Sequence, residues 1–218
     1  MLPGMLDTRA RASLAPVLEV AGGWLVRAGV RANALTAAGF LAGVGACAAA
    51  ALAIWPAALA LWLANRTLDG LDGVVARQRR ATDLGGFLDI VSDFTIYGGF
   101  VLGVAIARPP ARLACVVLLV AYYVSGTALL ALSSLAERRA QASRDERSVR
   151  FVGGLAEGTE TVVVYVLFCL FPGGAEWIAW AFAAAVAITA GQRVAMGVRE
   201  LREPVAMAGA RAGSTSTC

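Results

Sequence analysis

Residues 69–93 read DGLDGVVARQRRATDLGGFLDIVSD, and they sit between two apolar stretches, residues 57–76 and 84–107, that are each near the length needed to cross a bilayer. Four aspartates, Asp69, Asp72, Asp89 and Asp93, therefore lie in or beside candidate membrane spans. A charge at bilayer depth costs at least about 2.5 kcal/mol, and four neighbouring carboxylates also repel one another. They are tolerable only if protonated, paired or bound to cations. Asp69, Asp72, Gly73 and Ala76 fall at i, i+3, i+4 and i+7, so they share one helix face; Gly85, Asp89 and Asp93 step by four and share another. The connection between them, residues 77–82, is short and basic, which predicts antiparallel neighbouring helices whose acidic faces meet. Carboxylate oxygens without Cys or His select hard cations such as Mg²⁺, Mn²⁺ or Ca²⁺. Gly73 and Gly85 leave room on these faces for a ligand to approach.

Outward from this segment the chain is a series of apolar runs. Of its 218 residues 59% are hydrophobic, and the excess over a soluble domain is concentrated in six stretches: residues 34–54, 57–76, 84–107, 113–135, 151–171 and 177–198. The expectation is an all-α polytopic membrane protein with six transmembrane helices. An N-terminal amphipathic interfacial helix precedes them, since Leu14, Val17, Leu18, Ala21 and Leu25 recur at near-helical spacing between Arg9, Arg11, Arg27 and Arg31. The predicted organisation is an interfacial segment over residues 1–32, a catalytic membrane domain over 33–200 and a disordered cytoplasmic tail over 201–218.

All 19 basic residues are Arg, and there is no His, so acid–base and metal chemistry falls to carboxylates. In a six-span arrangement 16 of the arginines lie on one side; only Arg108 and Arg112 lie on the other, and Arg66 is within the second span. The positive-inside rule then puts both termini, and the acidic faces, on the cytoplasmic side of a bacterial inner membrane. The net charge of +4 is explained by arginines flanking apolar runs, which suits anionic lipid and gives no sign of nucleic-acid binding. Cys47, Cys115, Cys169 and Cys218 are far apart and are expected to be free thiols.

The pattern D-x-x-D-G-x-x-A-R, seven residues, then G-x-x-x-D-x-x-x-D, carried here by Asp69, Asp72, Gly73, Ala76, Arg77, Gly85, Asp89 and Asp93, resembles the signature of the CDP-alcohol phosphotransferase family of integral membrane enzymes. Asn33, Leu35, Thr36 and Gly39 resemble the N-x-L-T-x-x-G that often opens the first span in that family. The resemblance implies transfer of a phosphate-linked group, in bacteria usually phosphatidyl from CDP-diacylglycerol, to the hydroxyl of an alcohol or phospho-alcohol, with release of CMP. It implies that Asp69, Asp72 and Asp89 hold two divalent cations, Mg²⁺ or Mn²⁺, with Asp93 as a partial ligand and as the catalytic base. It implies that Asp69, Gly73, Ala76, Arg77 and Gly85 form the CDP site, and that the enzyme is a homodimer. An Arg guanidinium suits phosphate oxygens, and a carboxylate in a low-dielectric site can serve as a base.

On the acceptor side, Glu157 and Glu160 share a face at the start of the fifth span; they read either as a wall of an acceptor pocket or as partners of Arg147, Arg150 or Arg193. Those three arginines read as acceptor-phosphate ligands or as positive-inside anchors. Arg66 either neutralises Asp69 or reaches a phosphate, and Asn65 either serves the nucleotide or caps a neighbouring carbonyl. Two rival readings of the aspartates are an intramembrane prenyltransferase acting on a prenyl diphosphate and a divalent-cation carrier. The first predicts two Asp-rich motifs far apart in sequence, whereas here both lie within residues 69–93; the second predicts broken spans with polar residues in both membrane halves, whereas here they crowd the cytoplasmic half.

Overall fold

The computed structural model describes residues 5–79, 82–143 and 158–202, and these form helices and short connections without a strand. Seven α-helices follow in order: α1 (Met5–Arg27), α2 (Ala32–Ala51), α3 (Trp55–Arg79), α4 (Asp83–Ala107), α5 (Arg112–Ser143), α6 (Gly158–Leu170) and α7 (Ala175–Arg202). Single 3₁₀ turns at Pro109–Ala111 and Pro172–Gly174 lead into α5 and α7. Proline suits the first position of such a turn because its missing N–H would be unbonded there in any case.

Four of these helices, α2, α4, α5 and α7, are long and apolar enough to cross a membrane. In α3 the length is sufficient at 25 residues, but Arg66, Asp69, Asp72, Arg77 and Arg79 lower its hydropathy. The described part of α6 is a shorter apolar helix of 13 residues. α5 continues to Ser143, beyond the apolar limit at Leu135, because Ala, Glu, Arg and Gln in residues 136–141 sustain a helix once the apolar run ends. Of the expected disordered tail over 201–218, residues 201 and 202 belong to α7, and 203–218 lie outside the described residues.

The ends of α1 and α2 are closed by the same device. Val30 N–H bonds the Leu25 carbonyl at 3.0 Å and Gly29 N–H the Val26 carbonyl at 3.1 Å, with Gly29 at φ +83°. After α2, Ile54 N–H bonds the Ala49 carbonyl at 2.8 Å and Ala53 N–H the Ala50 carbonyl at 3.0 Å, with Ala53 at φ +58°. Both are Schellman closures, one on glycine and one on an alanine that must bear the left-handed conformation.

α2 organises the bundle. Its buried face is a stripe of small residues, Gly39, Gly43, Ala46, Ala49 and Ala50, and it packs against both α3 and α4. A β-carbon at Gly43 would lie 2.7 Å from the Ile96 side chain of α4. From the α4 side, a β-carbon at Gly103 would lie 2.6 Å from the Cys47 carbonyl oxygen of α2. Small residues permit this close helix approach, in which van der Waals packing replaces the hydrophobic drive that is lost in lipid. α3 and α4 are neighbours, as expected: their side chains meet directly, as Arg66 and Asp93 do at 2.8 Å, while α2 packs against both. Apolar periodicity could not show the packing of α2, because it marks a buried face without naming what covers it.

A buried aromatic cluster joins α3, α4 and α6. Trp62 lies 4.7 Å from Tyr165 and 5.6 Å from Phe100, and Phe100 stacks on Tyr165 at 4.7 Å with 17° between planes. The Tyr165 hydroxyl donates to the Tyr97 carbonyl at 2.7 Å. Cys47, Cys115 and Cys169 are free thiols, as expected. Gly103→Ala should force α2 and α4 apart, since the obstruction is backbone and cannot swing away. The expected cost is about 1–3 kcal/mol, read as a lowered thermal midpoint of the detergent-solubilised protein.

Candidate active site

The acidic faces of α3 and α4 converge, and one residue of α2 joins them. Asp69 and Asp72 of α3 and Asp89 of α4 each present an oxygen within 4.8 Å of the others. Two oxygens on opposite sides of one octahedral Mg²⁺ would stand about 4.2 Å apart, so the spacing suits carboxylates that share small divalent ions. Asp72 is buried, and its Oδ2 accepts a 2.6 Å hydrogen bond from the Thr36 hydroxyl. That bond occupies one lone pair of Asp72 and fixes the rotamer of a group with little freedom of its own. The donor set is all oxygen, and its partial burial and mutual repulsion fit a hard divalent cation.

Asp93 is the fourth carboxylate. Its Oδ1 accepts from Arg66 Nη2 at 2.8 Å, and it lines the same small pocket as Asp69, Asp72 and Asp89. Arg66 has a side chain only 12% exposed, and it is held from several directions. Its Nε donates to Asn65 Oδ1 and its Nη1 to the Tyr97 hydroxyl, both at 2.8 Å. The guanidinium also lies about 5 Å from the ring centres of Trp62 and Tyr97, where the faces of these rings attract a cation. Asp69 is a looser partner, with Oδ2 at 3.6 Å from Nη1. Of the two readings of Arg66, it does face Asp69, but its closest acidic contact is Asp93 on another helix. Asn65 caps a carbonyl: its amide donates to the Gly39 carbonyl of α2 at 2.8 Å.

The remaining signature positions line the end of the cluster nearer the α3–α4 connection. A β-carbon at Gly73 would be 3.4 Å from Arg77 Nη1, so the Arg77 guanidinium folds back along α3 over Gly73. Arg77 is exposed and Ala76 half-buried. Gly85 belongs to the first turn of α4, where its N–H donates to the Thr82 hydroxyl at 3.1 Å. A β-carbon there would meet Thr82 Oγ1 at 3.1 Å and Asn33 Oδ1 at 3.6 Å. Asn33 and Thr36, one helical turn apart in α2, thus reach Gly85 and Asp72 respectively.

On its other side Asp93 opens on a cleft of about 420 Å³ bounded by α4, α5, α6 and α7. Tyr97, Tyr122, Ser125, Thr161 and Arg193 contribute its polar lining, and Phe94, Leu119 and Leu129 its apolar lining. Arg193 Nη1 donates to Ser125 Oγ at 2.8 Å, which ties α7 to α5 at the cleft. Glu160 stands elsewhere, beside a second groove lined mainly by Val163, Val164, Leu167 and Phe182. Arg147, Arg150 and Glu157 lie outside the described residues. Sequence reasoning gave no role to Thr36, Tyr97, Tyr122 or Ser125. Tyr97 was within reach, one helical turn after Asp93 and on the same face.

Residues 30–190 match the CDP-alcohol phosphatidyltransferase family. The chain is 41% identical over 171 residues to the inner membrane protein YnjF of Escherichia coli (strain K12), spanning 77% of this chain and 83% of that protein. Two structures of the Mycobacterium tuberculosis phosphatidylinositol phosphate synthase PgsA1 share the fold. The form with CDP-DAG bound gives a TM-score of 0.64 at 23% identity, covering 84% of this chain and 94% of that one. The complex with manganese and citrate gives 0.65 at 24% identity, covering 83% and 88%. The extent of the family match and the close bacterial relative establish that the chain belongs to the CDP-alcohol phosphatidyltransferase family, as a membrane transferase of phospholipid synthesis.

Proposed function

We propose that the protein transfers phosphatidyl from CDP-diacylglycerol to the hydroxyl of an alcohol or phospho-alcohol, releasing CMP. The observation that carries this reading is the arrangement of the four aspartates. All four line one small pocket, three of them within 4.8 Å of one another, and the fourth, Asp93, also reaches the mouth of a larger cleft. Asp69, Asp72 and Asp89, with Asp93 as a partial ligand, would hold two divalent cations, Mg²⁺ or Mn²⁺, which when bound neutralise diphosphate charge and stabilise the oxygen that leaves. Gly73, Ala76, Arg77 and Gly85 would take the CDP moiety: the glycines admit it closely, and the Arg77 fork suits its phosphate oxygens.

In the proposed reaction the acceptor oxygen attacks the lipid-side phosphorus from the cleft. The new P–O bond forms as the bond to CMP breaks, CMP departs with that bonding pair, and the hydroxyl proton passes to Asp93. Arg193, with Ser125 and Thr161, lines the acceptor cleft and would bind its hydroxyl or phosphate oxygens. Arg147, Arg150 and Glu157 complete the proposed acceptor set; Glu160, expected there too, lines the second groove instead. Six spans, α2 to α7, would cross the inner membrane, the membrane named for the Escherichia coli relative. Both termini and the site would face the cytoplasm, α1 would lie at the interface, and two copies would pair. No observation favours the prenyltransferase or cation-carrier readings.

The direct test is CMP release from CDP-diacylglycerol in mixed micelles with Mn²⁺ or Mg²⁺ across a panel of glycerol phosphate, inositol phosphate, inositol, glycerol and serine. One acceptor should stimulate release in a metal-dependent way; equal release with and without every acceptor would refute the proposed transfer. Asp93→Asn should lower turnover about 10²–10⁴-fold while Mn²⁺ binding persists. Unchanged turnover would remove Asp93 from the base role. Thr36→Val should weaken Mn²⁺ binding about 10-fold or more without unfolding the protein, because Asp72 loses the bond that orients it. Titration by electron paramagnetic resonance measures that shift.

A further inference from the structure

The cleft beside Asp93 has a wall made by α4 and α5, and part of that wall is a ring set on a glycine. We propose that the Phe94 ring, seated on Gly126, is a specificity-determining wall that sets the size of the acceptor alcohol reaching Asp93; this rests on the proposed reading of the cleft as the acceptor's place.

Phe94 follows Asp93 on α4, Gly126 follows Ser125 on α5, and all four residues line the cleft. Ser125 Oγ accepts from Arg193 Nη1 at 2.8 Å, so the Asp93 carboxylate and this polar pair flank the contact between ring and glycine. An acceptor that offers its hydroxyl to Asp93 and its other polar atoms to Ser125 or Arg193 must lie along the ring. The ring has no slack against α5. A β-carbon on the buried Gly126 would overlap it, with Cζ at 2.8 Å. One helical turn further along α4 the relation is reversed: Gly98 faces Leu119, and a β-carbon there would rest at an ordinary 3.8 Å. Gly98→Ala would thus fit the seam, and Gly126→Ala would not with the ring in place. Glycine inside a helix carries a conformational cost that alanine avoids, and here it makes room for the ring. The notches at Gly43 and Gly103 are closed between packed helices, whereas this one borders open volume, and Phe94 is 45% exposed. A ring pushed off its seat therefore has the cleft to enter.

The test compares wild type, Phe94→Ala, Gly126→Ala and the double variant Phe94→Ala/Gly126→Ala in detergent with Mn²⁺, each with its thermal midpoint and donor KM. The kcat/KM of CMP release from CDP-diacylglycerol is measured with inositol phosphate against glycerol phosphate, and with inositol against glycerol, so that each pair differs in bulk and not in charge. The ratio of the larger to the smaller acceptor should rise about 10-fold in Phe94→Ala and fall about 10-fold in Gly126→Ala, with donor KM little changed. The double variant should follow Phe94→Ala, because the added methyl group then fills space the ring has left. If an alanine variant fails to fold, Phe94→Leu carries the comparison and should raise the ratio by less. Acceptor affinities measured by calorimetry without donor should shift in the same directions. Three results overturn the inference: unchanged ratios in the Phe94 variants, a ratio that does not fall in a folded Gly126→Ala, or a fall that persists in the double variant. If wild type transfers to none of the acceptors, the transfer reading fails, and the calorimetric ratios alone decide the part played by Phe94. Binding of none of them overturns both.

Discussion

Everything in the site depends on holding like charges close together where water is scarce. At about 5 Å and an effective dielectric of about 20, each pair of carboxylates repels by about 3 kcal/mol before screening. Three such groups within 4.8 Å make an unfavourable arrangement in the isolated chain, and the surrounding residues are disposed to bear it. Thr36 donates to Asp72, and Arg66 sets a cation against Asp93 and, more loosely, Asp69. The charge that remains uncompensated is concentrated at the three-carboxylate group, and this makes divalent cations the natural complement. Preorganised repulsion of this kind is a store of binding energy for a cation, because the ion relieves it on arrival.

Such a cluster requires a rigid support, and the packing supplies one. α2 offers glycine and alanine where α3 and α4 come down on it, so the two acidic helices are fixed by backbone-close contacts rather than by long, mobile side chains. Beneath the site, Trp62, Phe100 and Tyr165 lock α3, α4 and α6 together. The same aromatic layer touches the chemistry directly: Trp62 and Tyr97 flank the Arg66 guanidinium, and the Tyr97 carbonyl is held by Tyr165. Core and site are thus one structure, and the Arg66 guanidinium is held between them.

The sequence disclosed the parts of this that repeat locally. Asp69, Asp72 and Asp89 were legible because helix periodicity puts them on two faces and the family pattern spans them without a gap. The apolar runs located the long helices, and the fourth span ends at Leu135 as read, with α5 continuing beyond it to Ser143. What depends on distant pairing was not legible. Arg66 reads from sequence as a neighbour of Asp69, three residues on, whereas its short bond is to Asp93, 27 residues away on another helix. Ser125 and Arg193 meet across 68 residues. The packing of α2 against both α3 and α4 was hidden for the same reason, since glycines that admit a neighbour do not identify it. Thr36 lay within a recognised pattern, but its partner, Asp72, is 36 residues away.

A transferase of this type must choose between its acceptor alcohol and water, which is also a competent attacker of an activated phosphate. The placement of the cleft bears on that choice. The carboxylate at its mouth, Asp93, is bordered by Phe94, Leu119 and Leu129 as well as by the tyrosines. Apolar walls make an unoccupied cleft a poor host for ordered water, while Arg193, Ser125 and Thr161 offer a polar acceptor the contacts that water alone would not exploit across the whole cleft. Excluding water also strengthens every charge interaction around the reacting phosphate. On the proposed reading, then, embedding the site among membrane helices is part of its selectivity. The lipid donor needs a bilayer in any case, and the same helices that admit it leave the acceptor a route lined more by rings and methyl groups than by solvent.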